Sequence, residues 1–111
     1  MREKIERILN QFGASLTIEH EKEATACRGF LRPVTGKYWQ NMEHQFSELG
    51  QVPRGQYIYI GSANVPVTQG DRIVLDGAGY ALRRCEAVRA GDSLLYYWGL
   101  CVREGEDTWN N

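Results

Sequence analysis

The stretch RGQYIYIGSANVP, Arg54–Pro66, decides how this chain is read. Its centre alternates two aromatics, Tyr57 and Tyr59, with Ile58 and Ile60, and it stops at Gly61. Alternate residues of a strand face opposite sides of a sheet, so the tyrosines share one face and the isoleucines the other. Neither face is polar. Either protein covers both, or one of them meets a partner.

Working outward, the same two-faced character returns at SLLYYWGLCVRE, Ser93–Glu104. There Leu94, Tyr96, Trp98, Leu100 and Val102 share one side, and Leu95, Tyr97, Gly99 and Cys101 the other. Between these segments lie DRIVLD (Asp71–Asp76) and GYALRRCEAV (Gly79–Val88), punctuated by the turn sequences TQGD, DGAG and RAGD. Upstream, Ala14–His20 alternates with Leu16 and Ile18 on one face. A further strand spans Ala24–Val34, and the charged run Glu19–Glu23 forms the turn of a hairpin. Short strands at even spacing predict an antiparallel meander that closes into a sandwich or small barrel.

Ahead of the strands, Ile5, Ile8, Leu9 and Phe12 recur at helical spacing over residues 2–12. Glu3 suits the helix N-terminus, and Gly13 follows the last periodic residue as a C′ stop. Residues 32–55 are the least regular; Met42, Phe46 and Leu49 mark a short helix between Asn41 and Gly50. The expected organisation is a helix at 1–13, a mainly β, small antiparallel barrel at 14–104 with a long loop at 32–55, and a polar tail at 105–111.

Bulk composition narrows the function classes. A chain of 111 residues is one domain by length, and 42% hydrophobic with 24% charged residues is ordinary for a soluble globular protein. A formal charge of −1 gives no broad basic face for wrapping nucleic acid. The three cysteines, Cys27, Cys85 and Cys101, are widely spaced without a CxxC pair, which argues for reduced thiols. The start, MREKIERILN, lacks the apolar core of a signal peptide, and no stretch approaches the roughly 20 apolar residues of a membrane span. Synthesis in the cytoplasm as a soluble protein is the expectation.

No catalytic constellation emerges. Cys27 and Cys101 sit between apolar neighbours in strand patterns, where a free cysteine acts as a small hydrophobe. Cys85 lies between Arg84 and Glu86, where arginine charge favours thiolate, but a nucleophile also needs a base. The two histidines are His20, assigned to a turn, and His44 in the irregular segment. Cysteine and histidine are not paired at zinc-site spacing, so neither metal nor cofactor is expected. Gly77 and Gly79 lie between two strands with no helix following, which makes DGAG a hairpin turn rather than a phosphate loop. Aromatics at Tyr38, Trp39, Tyr57, Tyr59 and Tyr96–Trp98 suit base stacking, but the basic clusters Arg83/Arg84/Arg89 and Arg28/Arg32/Lys37 are small.

The order of segments carries a resemblance. RGFLRPV (Arg28–Val34) leads into the long loop. LGQVPRGQYIYIGSANVPV (Leu49–Val67), GDRIVLDGAGYALRRCEAV (Gly70–Val88) and LLYYWGLCV (Leu94–Val102) follow. Over about residues 24–104 this resembles the small head–tail joining (head-closure, or stopper) proteins of long-tailed bacteriophages and prophages.

The resemblance implies a small β-barrel that adds to the portal and adaptor rings after DNA packaging, closes the channel and offers the tail a docking surface. Its implied partners are portal, adaptor and tail proteins, copies of itself in a ring, and packaged double-stranded DNA nearby without sequence-specific binding. Its place would be the virion neck. In the family the long loop projects toward the channel. Carried over, the contact residues are Arg32, Lys37, Tyr38, Trp39, Met42, His44 and Phe46. No catalytic residue transfers. The alternatives are a small barrel that binds single-stranded nucleic acid or protein, and another neck or tail-completion role.

Overall fold

The computed structural model describes residues 1–34 and 56–105. One helix, α1 (Arg2–Phe12), precedes six strands: β1 (Ala14–His20), β2 (Glu23–Pro33), β3 (Gln56–Ser62), β4 (Arg72–Leu75), β5 (Ala78–Ala90) and β6 (Ser93–Arg103). Every pairing is antiparallel, and the strands close into a barrel in the order β1-β2-β3-β6-β5-β4. Closure gives every strand two neighbours, but β5 outruns β4, so Arg84–Ala90 pair with β6 alone.

The hairpin turns follow from local chemistry. Between β4 and β5, Asp76 and Gly77 both take positive φ, 51° and 81°, as a type I′ turn requires. Gly91 at φ 60° opens the turn between β5 and β6. The expected turn Glu19–Glu23 is tighter than the charge run suggests. Pairing continues to His20 and Glu23, so only Glu21, at φ 55°, and Lys22 form the bend, and His20 ends β1 rather than lying in a turn. The expected strand Asp71–Asp76 shortens to Arg72–Leu75, because Asp71 is held in the preceding loop, where its N–H bonds Thr68 O.

The register answers the question raised by the tyrosines. Tyr59 stands opposite Leu31 and Gly99, inside the barrel, and Tyr57 stands opposite Cys101 on the same side. Tyr59, Leu16, Ile18, Val67, Ile73, Tyr80, Leu82 and Cys101 form the buried core, with Tyr57, Leu31 and Tyr97 packed against it. The Tyr57 and Tyr80 rings meet edge to face at 4.9 Å between centroids. Room for Tyr59 comes from inward-facing glycines. A Cβ on Gly61 would run into the Tyr59 hydroxyl, and one on Gly29 would lie 2.7 Å from Ile60 O of the neighbouring strand.

Ile58 and Ile60 face outward, alongside Arg32, Phe30, Trp98 and Leu100. Helix α1 lies across this outer surface and packs on β2, β3 and β6. Only half of the expected apolar stripe is covered, with Ile5 half-buried beside Leu9. Leu9 is buried, but Ile8 is 45% and Phe12 67% exposed. Polar anchors turn the helix by about one residue. Glu6 accepts from Ser62 Oγ (2.7 Å) and Ala63 N (3.2 Å), and Arg2 donates to Asn64 (2.5 Å). The docked line therefore runs Arg2, Glu6, Leu9, Gly13.

Gly13 ends the helix as expected, its N–H donating to Leu9 O. Its φ of −74° and ψ of 162° are extended, not left-handed. Glycine is needed there for contact instead, since a Cβ would lie 3.0 Å from both the N and O of Gly29.

Candidate functional site

The barrel has two ends of different character. One gathers the β1–β2 turn, the loop 63–71 and the β5–β6 turn. The other gathers the start of β1, the β4–β5 turn and the point where the chain leaves β2 and re-enters at β3. At that second end Pro33 pairs with Tyr57, and Val34 N donates to Gln56 O at 3.0 Å. Residues 35–55 thus begin and end at adjacent, hydrogen-bonded positions on the barrel rim.

Of the contact residues expected from the sequence, Arg32 is in β2, exposed on the outer face opposite Ile58. Lys37, Tyr38, Trp39, Met42, His44 and Phe46, together with the short helix expected between Asn41 and Gly50, lie outside the described residues. So does the tail beyond Gly105.

On the outer wall Arg72, the first residue of β4, joins three elements. Its Nε donates to Glu104 (2.8 Å) and its Nη1 to Glu19 of β1 (2.9 Å), while Glu104 N donates to Gly79 O. These contacts raise the guanidinium pKa, Glu104 contributing first and Glu19 next. Gly79 makes room for this fork, since a Cβ there would sit 2.5 Å from Arg72 Nη2.

At the first end, His20 and Asp71 come together from positions 51 residues apart. His20 Nδ1 lies 2.5 Å from Asp71 Oδ1, and the imidazole is half-exposed while Asp71 is 4% exposed. Thr68 completes the cluster: its N–H donates to Asp71 Oδ2 (2.9 Å) and its hydroxyl to Asp71 Oδ1 (3.2 Å). An ionised carboxylate only accepts, so His20 Nδ1 carries the proton and Nε2 is the free nitrogen of the ring. The hydrogen bond and charge of Asp71 raise the His20 pKa, burial opposes them, and Glu21 and Glu23 add to the rise. Beside the ring is a cleft of about 280 Å³, lined by Ile18, Glu23, Thr25, Asn64 and Pro66 among others. Sequence reasoning missed this cluster, although an aspartate after the turn TQG is a signal for a side chain that caps its own loop.

All three thiols are held above the ordinary cysteine pKa. Burial pushes Cys27 up, and it pushes Cys101 up to about 12. Cys85 also rises, through burial first and then Asp71 and Glu86, contrary to the expected influence of its flanking arginine. The Tyr59 hydroxyl, without a nitrogen or oxygen partner, has the Cys27 thiol beside it; burial raises its pKa strongly. Among the described residues no group of three or more His, Cys, Asp or Glu side chains is placed to hold a metal ion. Among them, too, no helix is long and apolar enough to cross a membrane.

Comparison with known proteins finds no family model, no curated protein and no solved structure that matches this chain.

Proposed function

We propose that this chain is a structural protein of a phage head–tail connector, which closes the portal channel after packaging and offers the tail its attachment surface. The observation that carries the reading is the paired rim at Val34 and Gln56. The chain between these two positions, residues 35–55, carries Tyr38, Trp39 and Phe46 in its sequence and joins the barrel at a single point on that rim. A closed barrel with one long insertion suits a plug in a ring. The exposed Ile8 and Phe12 on α1, with half-buried Trp98 and Ile60 on the outer face, supply apolar surface beyond the core. Rings of identical subunits need two different patches on each subunit.

The local chemistry supports a contact role over catalysis. Raised thiol pKa values disfavour thiolate at neutral pH. Of the basic cluster on β5, Arg84 is already paired with Glu86 at 3.0 Å, which weakens the case for a nucleic-acid groove.

The test is deletion of residues 37–46. The barrel should stay folded by circular dichroism, while particles leak DNA or fail to join tails. Normal infectious particles would overturn the reading. Tight, salt-steep retention of single-stranded DNA by the intact chain would favour the binding-module alternative instead.

A further inference from the structure

The His20–Asp71–Thr68 cluster plays no part in the connector reading, and it lies at the opposite end of the barrel from the Val34–Gln56 rim. We propose that these three residues form a proton-operated latch, which holds the loop 63–71 against the tip of the β1–β2 hairpin while the imidazole is charged and loosens it when the charge is lost.

Geometry sets the latch. Asp71 is almost fully buried, and a buried carboxylate needs full hydrogen bonding and a compensating charge. Two of its bonds come from Thr68, within its own loop. The third comes from His20, on a different element, and it alone brings a positive charge. Thr68 Oγ1 also lies 3.3 Å from His20 Nδ1, so the ring contacts the loop twice. The charged groups acting on the imidazole are Asp71 at the head of β4, Glu21 in the turn and Glu23 at the start of β2, all carboxylates. Each favours the protonated ring.

The loop carries consequences beyond itself. Val67 within it is a core residue packed with Ile18 and Tyr59, and Cys85 Sγ contacts the Val67 carbonyl at 3.6 Å. The loop's first residues, Ala63 and Asn64, together with Ser62, are the anchors of α1 through Glu6 and Arg2. Loosening the latch therefore reaches both the core at this end and the seat of the helix.

The sign follows from linkage. His20 gains affinity for its proton on folding, so its contribution is complete below the usual imidazole value of about 6.5 and is lost as pH rises through the higher folded-state value. The latch is closed in mild acid and opens toward alkaline pH.

Amide hydrogen exchange on the purified chain tests this, with the intrinsic pH dependence of exchange divided out. Protection of residues 63–71 should fall several-fold from pH 6 to pH 9 in the wild type. It should be flat with pH in His20→Asn, whose side-chain amide keeps a neutral donor near the Nδ1 position. NMR titration gives a second reading: the His20 midpoint should lie above 6.5 and drop in Asp71→Asn. Protection independent of pH in the wild type, an equal decline in His20→Asn, or a His20 midpoint unmoved by Asp71→Asn would each overturn the latch.

Discussion

The Tyr59 hydroxyl occupies the space where Gly61 would carry a side chain, two residues along the same strand and on the same inner face. The buried ring and the missing Cβ are one feature. Gly61→Ala should therefore destabilise the barrel by about 1–3 kcal/mol, the usual range for an overpacked core. Tyr59→Phe removes a buried hydroxyl that has no nitrogen or oxygen partner, and should be neutral or stabilising by about 1 kcal/mol. Urea denaturation of both variants checks the pair. A clear loss in Tyr59→Phe would instead assign real strength to the Cys27 contact.

Glu6 fixes the helix through Ser62 Oγ and Ala63 N. Hydrogen bonds to a charged group contribute about 1.5–3 kcal/mol each before solvent exposure reduces them. Glu6→Ala should free α1 from its seat, with faster exchange of α1 amides and near-wild-type protection in β5 and β6. Equal loss across the whole chain would mean that the helix and barrel unfold as one unit.

The β4–β5 turn depends on backbone that only glycine adopts freely. Gly77 sits at φ 81° with nothing within reach of a Cβ, so Gly77→Ala tests conformation without a clash. The expected cost is about 1–2 kcal/mol, read from the thermal midpoint.

All three thiols have raised pKa values. Labelling with a disulfide reagent at pH 7.5 should be slow for the folded chain and complete for all three cysteines in denaturant. Raising the pH to 9 should speed Cys85 and Cys27 before Cys101, which is held up to about 12. Fast reaction of folded Cys85 at neutral pH would contradict the environment described for it.

The exposed side of α1 separates folding from contact. Replacing Ile8 and Phe12 together by serine leaves the barrel core intact and removes only partly covered surface, so stability should fall by no more than about 1 kcal/mol per site. Reduced incorporation into particles, with an unchanged melting curve, is the outcome that the connector reading expects.

Strand periodicity was legible because a barrel wall imposes strict alternation. β1 and β3 fall where Leu16/Ile18 and Tyr57/Tyr59 place them, and the Asp76–Gly77 pair announces its turn. Which face points inward was not legible. In Tyr-Ile-Tyr-Ile both faces are apolar, and only closure of the barrel with α1 on its outer surface assigns the tyrosines to the core. The helix was misjudged in rotation because its docking rests on Glu6 and Arg2, polar residues that an apolar stripe leaves out. The His20–Asp71 pair was hidden because 51 residues separate its members, and the turn TQGD signals only the cap that Asp71 places on its own loop. Arg32, the one expected contact residue within the described residues, lies on the strand that leads out to the rim.

The hydrogen bond between Val34 and Gln56 closes a circuit in the backbone before residues 35–55 are counted. Spacing between the two strands is held by the barrel wall and not by what the intervening chain contains. Closure entropy grows only logarithmically with length, each doubling costing about 0.6 kcal/mol. This position is consequently a natural splice point: an epitope, a fluorophore or a foreign peptide could replace the native insert while the staves around it keep their alignment.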